Sequence, residues 1–288
     1  MIRDGRKNAV APPDQRGDES GTEAPPSPTG WTRSDILISV ASLVGFLAAW
    51  EAIVRIFRIP EIVLPAPTAI LDALVSILVS GAVLTHFGVT LTEILAGFAI
   101  GAVAALVLGT LISQFRLVDR IVYPYVIALQ AVPKVALAPL LVIWFGFGIG
   151  SKILMTAVIA FFPILVNTIA GLRSVEQDRI DLMVALNASR WQIFRFVRLP
   201  TALPYIFAGL DVGVVLSVIG AIVGEFVGAN AGLGYLLLVY NADLKIAAVF
   251  ALLVILAALG ITLHAIVQAI QKRVMYWSAT GVDRTVGA

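Results

Sequence analysis

Cysteine is absent from all 288 residues. Disulfides, thiol catalysis and cysteine-ligated metals are therefore excluded. Histidine is scarce. His86 and His264 lie far apart and form no ligand spacing, so each is expected as a packed, hydrogen-bonded side chain and no metal site is expected. Charge is scarce too: 13% of residues are Asp, Glu, Lys or Arg, against about 25% in a soluble domain, while 59% are hydrophobic. Mean hydropathy is +0.97, so composition alone places the chain in a bilayer. A net charge of +2 gives no reason to expect nucleic acid as a partner.

What is present divides cleanly. Residues 1–34 are polar and rich in Pro, Gly and Ser, and read as a disordered cytosolic tail with no signal peptide. Six long apolar stretches follow: 36–54, 94–115, 121–151, 153–172, 199–224 and 246–271. Each can supply the roughly 20 apolar residues that a spanning helix needs. The expected fold is all-α and polytopic, with six transmembrane helices over residues 35–275 and a second polar tail at 276–288. Residues 65–81 are apolar but short and Pro-led, and read as an interfacial helix. With the N-terminus inside, fifteen Lys and Arg fall on the cytosolic side and four outside (Arg55, Arg58, Lys152, Lys245), with Lys134 left within a span. That bias puts both termini in the cytoplasm.

The segment between the fourth and fifth spans, DLMVALNASRWQIFRFVRLP, interrupts the apolar chain with charge and caps. Residues 180–186 suit a helix, and Asn187 is of the type that ends one in the left-handed conformation. Ser189 and Gln192 form a capping-box pair that starts another. That second helix is expected to stop at Leu199, before Pro200, with Trp191, Phe194 and Val197 as one apolar stripe. From these features alone the segment is either an amphipathic connector or a docking surface.

The segment resembles the cytosolic loop of importer-type ABC permeases. The pattern there is glutamate, two alanines, three residues, glycine, nine residues, isoleucine, one residue, leucine-proline. Asp181, Leu182 and Met183 take the first three places and Asn187 the glycine place. Val197 takes the isoleucine place, and Leu199 and Pro200 match identically. Two further stretches, PKVALAPLLVIWFGFGIGSKI and GEFVGANAGLGYLL, resemble the nitrate/sulfonate/taurine group of these permeases. The resemblance covers roughly residues 65–272, with a permease core at about 85–272 and a coupling loop at 173–200. It implies an inner-membrane subunit of an ATP-driven importer, working as a homodimer in the lipid bilayer. The implied partners are an ATP-binding ABC subunit and an extracytoplasmic substrate-binding protein. Asp181, Leu182, Met183, Asn187, Ala188, Ser189, Leu199 and Pro200 would then contact the ATPase. The substrate would be a nitrate-, sulfonate- or taurine-like anion, or a pyrimidine or flavin vitamin precursor.

GANAGLG lacks the Lys-Ser/Thr of a phosphate loop and reads as a re-entrant turn outside the membrane. No nucleophile–base pair appears, so no catalytic residue and no cofactor is expected, and ATP hydrolysis belongs on another subunit. Lys134, flanked by Pro133 and Pro139, is the one charge inside the third stretch. Intramembrane charges face a cavity or a partner, and prolines free backbone carbonyls. The trio reads as a broken helix on a translocation pathway, or as a Lys paired with Glu51, Asp211 or Glu225. Glu225 is a second pathway candidate. A gradient-driven secondary carrier is the alternative; it predicts an inverted repeat, and none is evident.

Overall fold

The computed structural model describes residues 33–276. Residues 1–32 and 277–288, which hold nearly all of both expected tails, lie outside the described residues. All described secondary structure is helical. Helix α1 (Arg33–Ile56) takes in the last two residues of the expected tail, Arg33 and Ser34. It begins in one compact unit, residues 1–48, and ends in a second, residues 49–288, which holds everything described below.

In the second unit, α2 (Pro67–Val79) is short and begins at a proline, as the sequence implies. Helix α3 (Ala82–Gln114) starts twelve residues earlier than the apolar run suggested. His86, Thr90 and Glu93 make that first third look too polar to span, but Thr90 and Glu93 point inward and are buried. The third expected span is two helices, α4 (Arg116–Gln130) and α5 (Ala138–Phe145), the second entered through a 3-10 turn at Lys134–Leu137; the two arms are bent by 92° across a break at residues 131–133. Among the described residues, five helices are therefore long and apolar enough to cross a membrane, or six if the bent pair counts as one.

Helix α6 (Ile149–Arg173) is the centre of the bundle and packs against α3 and against α9 (Leu199–Phe226). Between α6 and α9 lie α7 (Gln177–Ala185), α8 (Arg190–Ile193) and a π turn at Phe194–Arg198. The expected stop before Pro200 is absent: the chain is helical from Arg190 to Phe226. Pro200 directly follows the π turn at Phe194–Arg198, whose wider turn accommodates a residue with no N–H to give. After α9 comes α10 (Leu233–Ala242), too short to span, and then α11 (Ile246–Val274).

Apolar burial between lipid-like helices offers little drive in a bilayer, so close backbone packing matters more. Small residues permit it here. A Cβ on Gly220 of α9 would lie 2.8 Å from the Cα of Thr156 in α6. A Cβ on Gly101 of α3 would lie 2.6 Å from the carbonyl oxygen of Ala157. Gly220→Ala must move backbone and is expected to cost about 1–3 kcal/mol, lowering the unfolding temperature in detergent by several degrees. Gly88→Ala, where nothing lies within 4 Å, is expected to leave it unchanged. Equal unfolding temperatures for both variants would refute the close-packing account.

Candidate functional site

Three places in the second unit combine polar groups with a break in helix. The first is the segment from α7 to α9. Asn187 has φ +56°, in the left-handed region. Its N–H donates to Val184 O at 2.9 Å, and Ala188 N–H donates to Met183 O at 2.9 Å. This is the Schellman closure that an Asn at this place makes possible. Ser189 then opens α8 with both halves of the capping box: Gln192 N–H to Ser189 Oγ at 3.3 Å, and Ser189 N–H to Gln192 Oε1 at 2.7 Å. Two adjacent caps leave a sharp, defined corner at Asn187–Ser189.

Apolar side chains crowd this corner without cover. Leu182 is 62% exposed, Leu186 68% and Trp191 64%. Asp181, also exposed, accepts a hydrogen bond from Gln177 Nε2 at 2.8 Å. Leu182, Met183, Val197 and Pro200 line one cavity of about 580 Å³, so the structure brings the two halves of the motif together. Two members of the expected stripe come together. Trp191 and Phe194 stack at 5.5 Å, but the π turn shifts the register and Ile193 is the residue buried.

The second place is the elbow between α4 and α5. Pro133 cannot donate a backbone hydrogen bond, and Pro139 fits the first turn of α5. The half-buried Lys134 ammonium donates to Gln130 O at 3.0 Å and stands 4.6 Å over the Phe162 ring. Among the described residues it has no carboxylate partner in the structure, unlike one of the sequence expectations. Glu51 instead pairs with Arg55 and accepts the Thr68 N–H at the start of α2. Asp211 pairs with His264, with Oδ1 and Nδ1 2.5 Å apart. Beside the Lys134 elbow lies a cavity of about 420 Å³, walled by Gly101, Ala104, Leu129, Leu154 and Phe161.

The third place lies where α3 and α6 begin and α9 ends. Four backbone N–H groups open α10, and side chains from other helices take all four. Gly232 N–H donates to His86 Nδ1 at 3.0 Å, and Leu233 N–H to Thr90 Oγ1 at 2.8 Å. Gly234 and Tyr235 N–H donate to Glu225 Oε2 at 2.5 and 3.3 Å. A carboxylate here suits the positive end of the helix dipole. Thr90 in turn donates to Glu225 Oε1. Gly232 has φ +120°, and any side chain on it would run into the Glu225 carboxyl. Glu225, Glu93 and Lys152 are 1%, 2% and 1% exposed. Lys152, expected on the outer surface, donates instead to Phe147 O at 2.6 Å and Gly228 O at 2.7 Å.

Sequence reasoning named Glu225 but missed Lys152, Glu93, Thr90 and His86, which lie on other helices. The available signal was their polarity inside or beside apolar stretches. Among the described residues no group of three or more His, Asp or Glu could hold a metal ion. Lys152→Met leaves the Phe147 and Gly228 carbonyls without their donor. It is expected to destabilise by about 1–3 kcal/mol for each, read as a loss of folded protein on heating in detergent. Lys134→Met, which disturbs one exposed carbonyl contact, is expected to leave stability within about 1 kcal/mol. A Lys152→Met protein as stable as the parent would show that the cluster does not hold this end together.

Comparison with known proteins agrees with this geometry. Residues 97–276 match the family described as the binding-protein-dependent transport system inner membrane component. The riboflavin transport system permease protein RibX of Chloroflexus aurantiacus is 35% identical over 239 residues, covering 83% of this chain and 89% of that relative. The formylaminopyrimidine transport permease protein ThiX of Halalkalibacterium halodurans is 36% identical over 231 residues, covering 80% and 92%. The taurine transport system permease protein TauC of Escherichia coli is 30% identical over 247 residues, covering 84% and 90%. In fold, the chain is similar to the inward-facing MetNI methionine ABC transporter. The TM-score is 0.58 at 21% identity, over 68% of this chain and 97% of that one. The gradient-driven carrier reading falls with these matches. A multi-pass helical bundle, a capped corner that carries the loop motif and a family match over most of the bundle converge: this chain belongs to the binding-protein-dependent inner-membrane components, the membrane-spanning permease subunits of ABC importers.

Proposed function

We propose that the chain works as a homodimer with two ATP-binding subunits docked at Asp181–Ser189, and that its termini are cytoplasmic. The permease domain is residues 35–275, with the coupling loop at 173–200. The observation that carries this reading is the corner at Asn187. Two caps set it, exposed Leu182, Leu186 and Trp191 surround it, and it lies next to a cavity shared with Pro200. Exposed apolar groups on a rigid corner mark an interaction surface. Ala188 and Ser189 form the tip, and Leu199 and Pro200 join it directly to α9. Closure of the ATPase pair would pull the corner and, through the unbroken helix from Arg190 to Phe226, reach the far end of α9. Asn187→Gly preserves the left-handed cap and is expected to keep ATPase association. Asn187→Pro, or deletion of 182–188, is expected to abolish co-purification of the ATPase together with uptake. Normal co-purification with either change would remove the coupling assignment.

The pathway assignment rests on the elbow. Lys134, which stands between Pro133 and Pro139 in the chain, lines the cavity of about 420 Å³ where a spanning segment is broken, and such breaks are tolerated where they line a cavity. Glu225 is buried, so its part is to hold the turn at the outer end of the pathway. The cargo is a small solute received from a substrate-binding protein. The relatives at 35% and 36% identity, named for riboflavin and formylaminopyrimidine transport, favour a ring compound of the vitamin-precursor kind. A taurine-like anion is the other class. Lys134→Ala is expected to lower uptake in reconstituted vesicles about tenfold, the worth of one charge-assisted contact of about 1.4 kcal/mol, while complex assembly survives. Unchanged uptake would reject a pathway role for this ammonium.

A further inference from the structure

A third cavity, of about 530 Å³, lies where α3 ends, α4 begins and α7 and α8 pass. Its polar wall is Gln114, Arg116, Arg190 and Arg198, and its apolar wall includes Phe115 and Ile193. Neither the loop motif nor the elbow uses it. Three arginines line this space and no Asp or Glu does. The nearest acid along α4, Asp119, is engaged by Arg173. Gln114 adds a second observation. Its Oε1 accepts from Arg198 Nη1 at 3.5 Å, while its amide nitrogen is buried without a partner. A buried amide donor left unpaired costs about 1–3 kcal/mol, so an acceptor belongs beside it.

We propose that this cavity binds the phosphate headgroup of an anionic lipid of the cytoplasmic leaflet, of the phosphatidylglycerol or cardiolipin class. The planar forks of three arginines match phosphate oxygens, and the Gln114 amide supplies a neutral donor. Position decides between a lipid and a soluble anion. Gln114 closes the apolar run Val83–Gln114, so the cavity opens at the edge of the hydrocarbon layer. Phe115 and Leu117, 55% and 70% exposed, form a rim that a glycerol backbone and acyl chain would cover. Basic pockets between spanning helices on the cytoplasmic side are suited to such headgroups. The inference rests on the proposed cytoplasmic orientation, but lipid binding can be read without the ATPase and without transport.

The test uses the full chain, purified in detergent, with short-chain phosphatidylglycerol, phosphatidylcholine of the same chain length, and inorganic phosphate as probes. Native mass spectrometry reads occupancy and thermal unfolding reads stabilisation. Phosphatidylglycerol is expected to bind at least about tenfold more tightly than phosphatidylcholine and to raise the unfolding temperature by about 2–4 °C. Arg116→Gln with Arg198→Gln is expected to erase that preference. The control pair Arg120→Gln with Arg195→Gln, equal in charge change but off the cavity, is expected to keep it. Arg116→Lys with Arg198→Lys keeps bulk and charge, guards against a folding defect, and is expected to give an intermediate preference. Equal loss in the control pair, or no preference in the parent, overturns the site. Full stabilisation by inorganic phosphate alone overturns the lipid assignment. So does a retained lipid preference in the Arg116/Arg198 glutamine pair with lost ATPase co-purification, which would give the cavity to an acidic segment of that partner.

Discussion

A backbone that leaves the helix inside a bilayer must have its N–H and C=O groups satisfied from within the protein, because lipid offers no partner. The rest of this structure depends on that constraint. The chain breaks helix at several points, and a polar side chain answers most of them. Glu51 takes the Thr68 N–H that opens α2. Lys134 donates to the Gln130 carbonyl where α4 ends. Lys152 donates to Phe147 O and Gly228 O in two turns. Glu225, Thr90 and His86 take the four N–H groups that open α10. Much of the scarce charge in this apolar chain therefore sits where regular hydrogen bonding stops.

These breaks differ in what surrounds them. The turn before α10 is closed on every side: its carboxyl and ammonium groups are buried, and three long helices contribute to it. It is a fixed end. The elbow at Lys134 is open on one side to a cavity, and its ammonium keeps donors unused by the protein. The corner at Asn187 is rigid in itself but uncovered, with apolar side chains projecting from it. The chain is helical from Arg190, just past the corner, to Phe226 beside the closed turn.

Much of the fold was legible because its determinants are local. The left-handed Asn187 and the Ser189–Gln192 box depend on groups three to five residues apart, and both appear as the sequence implied. The third stretch was expected to be a broken helix because two prolines flank a lysine, and it is bent by 92°. Local rules also misled. Pro200 signalled a stop, yet the π turn before it let the helix run on. The polar start of α3 argued against a span, because sequence does not show that Thr90 and Glu93 face inward.

The sequence by itself determined that the chain is a helical membrane protein, that its third span is broken, how the loop corner is capped, and which family's motifs it carries. All of these follow from composition, periodicity and contacts between near neighbours. Tertiary structure alone decided the partners of the charged groups. It joined Glu225 to Thr90 across 135 residues, Lys152 to Gly228 across 76, and Asp211 to His264 on another helix. It also opened the Lys134 elbow onto a cavity and gathered Arg116, Arg190 and Arg198 around an orphan amide. The physical reason is that a helix presents several faces, and which face meets which neighbour is settled by close packing among α3, α6 and α9 rather than by any property of one segment.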